Sequence, residues 1–207
     1  MNRPSVDEYF MAMAYLVSER STCLRRKVGA VIVKNKQVLS TGYNGAPKNL
    51  PHCKELGGCM RRGDIDPPYM DIFFDQYEGE EDIDREEMLE EIDFYPKKGE
   101  GVKSGRRHEL CRAAHAEQNA IVQAAVSGVS IKGSKLYCTT YPCVVCGKML
   151  INSEIDEIIY DGEYKDPLSE NMLNQSEIDV KRFEGEKVEV QETLAEYIKE
   201  KDQDPDK

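Results

Sequence analysis

The first apolar residues of the chain recur with the period of an α-helix. Ser5 and Glu8, three residues apart, form a capping box, which is a common signal for the start of a helix. We predict that the apolar residues that follow form the buried stripe of a first helix, and they are Tyr9, Phe10, Met13, Leu16 and Val17. We expect this helix to end near residues 21–23.

Two short apolar runs follow and predict a pair of strands. Residues 28–33 are rich in β-branched side chains, and residues 37–43 form a second run after a polar break. The sequence Asn-Gly-Ala-Pro at 44–47 has the composition of a turn. The two runs therefore predict a β-hairpin.

The second half of the chain alternates between helical and strand-like patterns. We predict helices at 113–126, 143–152, 168–173 and 191–199, and strands at 135–140, 155–160, 180–183 and 188–190. A hairpin followed by such alternation predicts an α/β sandwich around a mixed sheet. The length of 207 residues fits one domain, 1–207, with a polar tail at about 200–207.

Residues 54–107 differ in character and predict an insertion into this domain. Within it, residues 64–93 hold fourteen acidic side chains against Arg85 alone, whereas residues 97–107 are basic and contain glycine. One interpretation is a solvated surface insertion, and the other is a lid over a nucleotide site.

The charge and the cysteine content restrict which binding partners and which cellular compartment we expect. A formal net charge of -11 opposes general binding to nucleic acid, which needs many neutralised phosphates. The first residues are polar, and no apolar run reaches the roughly 18 residues of a membrane span, so we expect neither export nor membrane insertion. Seven cysteines, two of them in Cys-x-x-Cys, then favour metal binding in the reducing cytoplasm over disulfides.

Two short motifs predict a catalytic zinc site. The first motif is His115-Ala116-Glu117, at the start of an alanine-rich helical segment. The second is Pro142-Cys143-Val144-Val145-Cys146, at the start of another predicted helix. One histidine and two cysteines supply three protein ligands and leave a fourth tetrahedral position open for water. This pair of motifs is the signature of zinc nucleobase deaminases. The alternative is a closed, structural zinc site in which Glu117 is only an acidic residue of the first helical turn.

The residues of the two motifs fit hydrolytic deamination. Zinc lowers the pKa of a bound water, which then attacks C4, the amino-bearing carbon of the pyrimidine ring. Glu117 can take the proton of that water, pass it to the ring nitrogen and later protonate the departing ammonia. This chemistry needs no organic cofactor.

The chain resembles the deoxycytidylate (dCMP) deaminases of the cytidine-deaminase superfamily. The matching segments are 9–12, 20–23, 28–33, 42–45, 115–120 and 142–146. The resemblance implies a three-layer α/β/α sandwich with a five-stranded mixed sheet, and conversion of dCMP to dUMP for thymidylate precursors. It also implies a homohexamer, with activation by dCTP and inhibition by dTTP. Because carboxylates repel triphosphates, the acidic insertion opposes an allosteric nucleotide site beside it.

The resemblance also suggests which residues bind the substrate. Asn44 matches an asparagine that contacts the nucleotide, although Asn before Gly often only forms a turn. Arg25, Arg26 and Lys27 are the basic residues near matched motifs, and some of them are expected to hold the 5′-phosphate. The alternative is a solvated basic turn. The remaining substrate-binding residues that we predict are Ala116, Tyr141 and Tyr164, of which the two tyrosines could instead serve packing.

Some relatives in this family carry a second, structural zinc. The resemblance places ligands at Cys23 and Cys53, with others just before the His-x-Glu motif. The candidate third and fourth ligands are Cys59, His108 and Cys111. Such a closed site would attach the insertion to the core. The alternative is that these cysteines are buried free thiols, as we expect for Cys138.

Other functions remain open at this point. A tRNA adenosine deaminase shares the zinc motif but would require a basic surface for RNA. A deaminase of free cytidine or of a riboflavin precursor would not require the basic cluster to bind phosphate. A non-catalytic, zinc-stabilised nucleotide-sensing or DNA-uptake protein could dispense with Glu117, which is present here.

Overall fold

A computed structural model describes residues 3–65, 99, 101–103, 107–163 and 166–186. Five features of the sequence analysis lie outside these ranges. They are the strand at 188–190, the helix at 191–199, the tail at 200–207, Tyr164 and most of the acidic insertion.

The described strands form one mixed sheet of five, as the sequence predicts. They are β1 (Gly29–Lys34), β2 (Gln37–Tyr43), β3 (Lys135–Cys138), β4 (Glu157–Tyr160) and β5 (Asp179–Arg182). Their order across the sheet is β2-β1-β3-β4-β5. The β1 strand pairs antiparallel with both β2 and β3, whereas β3, β4 and β5 are mutually parallel neighbours.

Four α-helices pack on this sheet. They are α1 (Val6–Ser18), α2 (Ala116–Val126), α3 (Val144–Asn152) and α4 (Pro167–Asn174). Two short 3-10 turns, Met60–Arg62 and His108–Leu110, lie between β2 and α2 in the chain. Among the described residues, no helix is both long and apolar enough to cross a membrane.

Alternation along the strands produces the three layers. Ala30 and Ile32 of β1 belong to an apolar cluster that also contains side chains of α2, α3 and α4. Val31 and Val33 point the opposite way and pack with residues of α1. Because successive side chains of a strand face opposite sides, one short run supplies both cores. The described chain is therefore an α/β/α sandwich.

The first helix begins as predicted, but its buried face differs. The capping box is present, with the Ser5 backbone N–H donating to Glu8 at 2.7 Å. The helix ends at Ser18, before residues 21–23. Tyr9 and Leu16 are 48% and 52% exposed, so their assignment to the buried stripe is wrong. The buried residues of α1 are Phe10, Met11, Ala14 and Ser18.

A close approach of β1 explains this rotation of the helix. A Cβ atom at Gly29 would lie 2.0 Å from the Ala14 carbonyl oxygen and 2.6 Å from the Ser18 backbone nitrogen. Only glycine on the strand, facing small residues on the helix, permits this distance. Helix α1 therefore turns Ala14 and Ser18 to Gly29, and Tyr9 and Leu16 face solvent.

The helices of the two metal motifs begin later than the pattern indicates. The segment predicted to be helical from residue 113 stays extended up to His115, because Gly45 and Ala114 form an isolated β-bridge. Helix α3 starts at Val144, with Cys143 in extended conformation as its N-cap. Both metal motifs therefore lie at helix N-termini.

Candidate active site

His115 is the N-cap residue of α2, and two of its neighbours fix its position. Its backbone N–H donates to the Gln118 side chain at 2.7 Å. The Asn119 side-chain amide donates to the Tyr43 carbonyl at 2.7 Å, which attaches the first turn of α2 to the end of β2. Gln118 and Asn119 thus have positioning roles that the sequence pattern alone does not reveal.

Gly42 allows α2 to lie directly on β2. A Cβ atom at this position would lie 2.2 Å from the Ala116 carbonyl oxygen and 2.4 Å from the Ala120 backbone nitrogen. Such distances are far inside van der Waals contact, so any other residue would displace the helix. The helix that carries His115 and Glu117 is therefore held at a fixed height above the sheet.

The two cysteines of the second motif meet His115 across the start of α3. The Sγ atoms of Cys143 and Cys146 each lie 3.3 Å from His115 Nδ1. In tetrahedral zinc sites, ligand bonds of about 2.0–2.3 Å place nitrogen and sulfur roughly 3.5 Å apart. The three donor atoms therefore have the types and the separations that a zinc ion requires.

The protonation of the two thiols also fits a cation site. A hydrogen bond with Cys146, followed by the contacts with His115, lowers the pKa of Cys143 to about 4 despite its burial. The same bond with Cys143, together with burial, raises the pKa of Cys146 well above its usual value. The two sulfurs thus share one proton, and a bound divalent cation would displace it.

Glu117 is a buried carboxyl group beside these ligands. Its side chain is 2% exposed, and its carboxylate lies within 4.8 Å of the ligand atoms of His115 and Cys146. Burial raises the pKa of Glu117 above its usual value. A carboxyl group with a raised pKa accepts a proton more readily than an ordinary carboxylate, which suits general acid–base chemistry.

A cavity opens above this cluster and brings most of the predicted site residues together. Its lining includes His115, Glu117 and Cys143 and the predicted substrate-binding residues Arg25, Arg26, Asn44, Ala116 and Tyr141. Lys27 is not among the lining residues and forms an ion pair with Glu19 on the surface, with Nζ 2.5 Å from Oε2. Tyr141 is mostly buried and packs edge-on against Tyr160, with ring centroids 4.8 Å apart.

Asn44 organises the loop that carries the basic residues. Its side-chain oxygen accepts hydrogen bonds from the Val28 backbone N–H at 2.9 Å and the Ser21 hydroxyl at 2.6 Å. Its side-chain nitrogen donates to the Arg26 carbonyl at 2.8 Å. An amide nitrogen has two protons, so Asn44 can shape this loop and still offer a donor to the cavity.

The two arginines of this loop point in different directions. Arg25 donates to the Val102 carbonyl at 2.9 Å and to the Arg61 carbonyl at 3.4 Å, and so holds described parts of the insertion. Arg26 is exposed and reaches the Thr140 hydroxyl at 3.4 Å, across the cavity. Arg26 therefore lies better placed than Arg25 to meet a ligand at the solvent-facing end.

Four cysteines gather at the edge of the same cavity. Burial, followed by the nearby thiols of Cys59, Cys111 and Cys23, raises the pKa of Cys53 to about 11. All four of these cysteines are free, and all four line the cavity. His108, the other candidate ligand of the second zinc, lies instead against His115, with ring centroids 5.0 Å apart.

Two residues near the site are absent from the sequence-based set. Arg61 is 7% exposed and lines the cavity, but a single arginine at the start of an insertion gives no signal in the sequence. Asp166 caps α4 and also accepts a hydrogen bond from the Val144 backbone N–H at 2.9 Å. The sequence Asp-Pro before a predicted helix could have indicated the cap, although not the contact with α3.

Comparison with known proteins connects this geometry to a family. The family described as the cytidine and deoxycytidylate deaminase zinc-binding region matches residues 4–161. The match includes α1, the hairpin, both metal motifs and β4. It therefore covers the described site, apart from Asp166.

Curated relatives show the same similarity over most of the chain. The deoxycytidylate deaminase of Saccharomyces cerevisiae is 32% identical over 87% of this chain and 46% of its own length. That of Mycobacterium phage D29 is 33% identical over 79% of this chain and 99% of its own length. The chain spans about half the length of the first curated relatives that it matches.

A solved structure has the same fold. The dCMP deaminase of cyanophage S-TIM5, in complex with dCMP and dUMP, is 27% identical with a TM-score of 0.59. The alignment covers 88% of this chain and all of the cyanophage chain, 100%. With the donor set of His115, Cys143 and Cys146 and the match over residues 4–161, the chain belongs to the cytidine and deoxycytidylate deaminase zinc-binding family.

Proposed function

We propose that this protein catalyses the zinc-dependent hydrolytic deamination of dCMP to dUMP and ammonia, which supplies a precursor of thymidylate. The observation that carries the proposal is the buried carboxyl of Glu117 beside a His–Cys–Cys donor set, at the floor of a cavity. The cyanophage relative, whose structure contains dCMP and dUMP, supports this choice of substrate.

The donor set would hold one catalytic zinc through His115 Nδ1 and the Sγ atoms of Cys143 and Cys146. When bound, zinc supplies a Lewis acid that makes water a nucleophile near neutral pH. Both cysteines lie in the N-terminal turn of α3, where the helix dipole stabilises thiolates. The chain therefore provides the ligands and a helix dipole that lowers the cost of ionising them.

Glu117 moves the protons of the reaction. Its carboxylate accepts a proton from the attacking water and transfers it to the ring nitrogen next to C4. It then takes the remaining proton from the hydroxyl group added at C4 and delivers it to the amino group, which leaves as ammonia while the C4 carbonyl forms. Burial keeps this carboxyl out of bulk water and raises its pKa, which suits a group that alternates between the two protonation states.

The charge distribution in the cavity supports a nucleotide monophosphate as the substrate. Arg26 is exposed and Glu117 is buried, so the phosphate would lie towards solvent and the base towards the zinc ligands. Asn44 holds the loop that presents Arg26 and retains a donor for the nucleotide. A net charge of -11 opposes RNA as a competing substrate.

A second, structural zinc is part of the proposal. Four cysteines from separate segments meet here: Cys23 from the loop after α1, Cys53 and Cys59 from the start of the insertion region, and Cys111 from the segment before α2. Four thiolates form a closed tetrahedral zinc site, which stabilises a fold by joining segments distant in sequence. The raised pKa of Cys53 reflects the three nearby thiols as well as burial, which supports a shared cation.

Other parts of the proposal rest on resemblance to the family. They are one domain over 1–207 with an insertion at about 54–107, a cytoplasmic location, a homohexamer, and regulation by dCTP and dTTP. Described parts of the insertion do contact the core, since Arg25 donates to the Val102 carbonyl.

Ammonia release is the experiment that tests the catalytic proposal. Purified, zinc-loaded protein is compared on dCMP, deoxycytidine, CMP and adenosine-containing RNA. We expect release from dCMP that far exceeds release from deoxycytidine, because the phosphate is recognised. Release from the RNA alone would replace dCMP with a tRNA-type substrate, and no release from any of the four would favour a non-catalytic protein. Glu117→Gln should retain zinc and lose turnover.

A further inference from the structure

The imidazole of His108 is a buried group that the proposed reaction leaves unused. Both of its ring nitrogens are buried, and neither has a hydrogen-bond partner among the described residues. Most buried polar atoms in native proteins do have a partner, so an exception calls for an explanation. A ligand that fills the adjacent cavity would supply one.

The position of the ring indicates which ligand group that would be. One ring nitrogen lies within 4.8 Å of the ligand atoms of His115 and Cys143. Glu117 forms a similar group with His115 and Cys146, so the imidazole and the carboxylate approach the donor set beside different cysteines. His108 also lines the cavity, and its ring lies edge-on to His115 at an interplanar angle of 76°.

Two other roles fit the geometry less well. A ligand of the second zinc would have to lie beside Cys53 and its neighbouring thiols, whereas the His108 ring lies against His115, with ring centroids 5.0 Å apart. A contact with the substrate phosphate would place the imidazole near the exposed Arg26, whereas its nitrogens are fully buried. One ring nitrogen lies at the reacting end of the cavity, within 4.8 Å of the ligand atoms of His115 and Cys143.

We propose that His108 contacts the substrate and hydrogen-bonds the amino-bearing, reacting end of the pyrimidine ring. A neutral imidazole has one acceptor nitrogen and one N–H donor. Its acceptor nitrogen can therefore accept a hydrogen bond from the amino group of the substrate. This inference rests on the proposed function, because it assumes a cytosine nucleotide in the cavity.

Binding to an inactive background tests this contact. In the zinc-loaded Glu117→Gln protein, the affinities for dCMP and deoxycytidine are measured by calorimetry, with and without His108→Ala. We expect His108→Ala to weaken both ligands by about tenfold, the value of one hydrogen bond, because both carry the same amino group. Zinc content should not change. His108→Gln keeps an amide donor and acceptor and should recover part of the affinity, which also guards against a folding defect in the alanine variant.

Glu109→Ala is the matched control, since Glu109 is exposed in the same 3-10 turn and pairs with Arg107. It should leave both affinities unchanged. A loss for dCMP without a loss for deoxycytidine would overturn the inference in favour of a phosphate contact, and a loss of zinc would make His108 a ligand. Unchanged affinities for both ligands would overturn this inference and leave the proposed function standing. A Glu117→Gln parent that binds neither ligand would overturn the proposed function and this inference with it.

Discussion

Asp166 accepts a hydrogen bond from the backbone N–H of Val144, at 2.9 Å, directly after Cys143, the first of the two cysteines proposed to bind zinc. The other oxygen of this carboxylate accepts from the N–H groups of Leu168 and Ser169, at 3.1 and 3.2 Å. One side chain therefore caps α4 and fixes the start of α3 at the same time. We interpret Asp166 as a positioning residue for Cys143 and Cys146.

Asp166→Ala should weaken both the fold and the metal site. Loss of an N-cap costs about 1–2 kcal/mol in free energy of unfolding, which denaturant titration measures. The start of α3 would also become less constrained, so a chelator should remove zinc faster. Asp166→Asn keeps a single acceptor oxygen and should give an intermediate result. A lower stability with an unchanged rate of zinc release would limit Asp166 to a structural role.

The four-cysteine site predicts a specific zinc count. Cys53→Ser should reduce the metal content by about one zinc per chain and lower the melting temperature, because structural zinc contributes directly to folding. Cys138 is a fully buried cysteine of β3, and Cys138→Ala serves as the control. It should lower stability without changing the zinc count. Equal metal content in wild type and Cys53→Ser would exclude the second site.

Arg26 and Lys27 are adjacent in sequence but should behave differently. Arg26 reaches across the cavity to Thr140, whereas Lys27 pairs with Glu19 on the surface. Arg26→Ala should raise KM for dCMP by about tenfold or more, the usual effect of losing a hydrogen bond to a charged group. Lys27→Ala should leave KM for dCMP unchanged. Arg26→Ala should leave KM for deoxycytidine unchanged, because this ligand has no phosphate. Equal effects of the two substitutions would refute the assignment of the phosphate to Arg26.

Two glycines of the hairpin should have different consequences when substituted. Gly42→Ala forces a Cβ atom against the backbone of α2, and Gly29→Ala forces one against α1. Both should destabilise the protein by about 1–3 kcal/mol or more, as overpacking does. Only Gly42→Ala displaces the helix of His115 and Glu117, so only this variant should also lower zinc affinity in the folded protein. Metal titration of the two variants, at a temperature where both are folded, makes the comparison.

Glu157 gives stability that depends on pH. Burial alone would raise the pKa of this carboxyl, but Lys135 and Lys181 outweigh it and hold the pKa below the ordinary value of 4.5. A carboxyl group with a depressed pKa stabilises the fold at every pH above its ordinary pKa. This contribution is lost as the pH falls through the lower pKa of the folded state.

Glu157→Gln should therefore cost about 1 kcal/mol in free energy of unfolding at neutral pH. The side chain of Glu157 is only 12% exposed, so solvent screens its ion pairs less than those of a surface residue. The difference from wild type should shrink as the pH falls below 4.5, the ordinary value. Denaturation curves at several pH values test this, and a difference that is independent of pH would assign the effect to packing.

The sequence by itself determined the features that depend on a single helix or strand, such as its type, its start and the residue types of its motifs. The β-branched run at 28–33 predicts a strand, and the structure confirms it as β1. The capping box at Ser5 predicts where α1 begins. The two motifs around His115 and Cys143 predict a zinc donor set because residue type and helix position carry that chemistry locally.

The tertiary structure decided everything that depends on contacts between distant segments. The rotation of α1 depends on its contact with Gly29. The different directions of Arg26 and Lys27 depend on Thr140 and Glu19. The contact of His108 with His115 joins a 3-10 turn to the start of α2. Spacing along the chain encodes the period of a helix or strand, but not which side chain of another element it will meet. For that reason, the ligand types could be predicted from the sequence, whereas their neighbours could not.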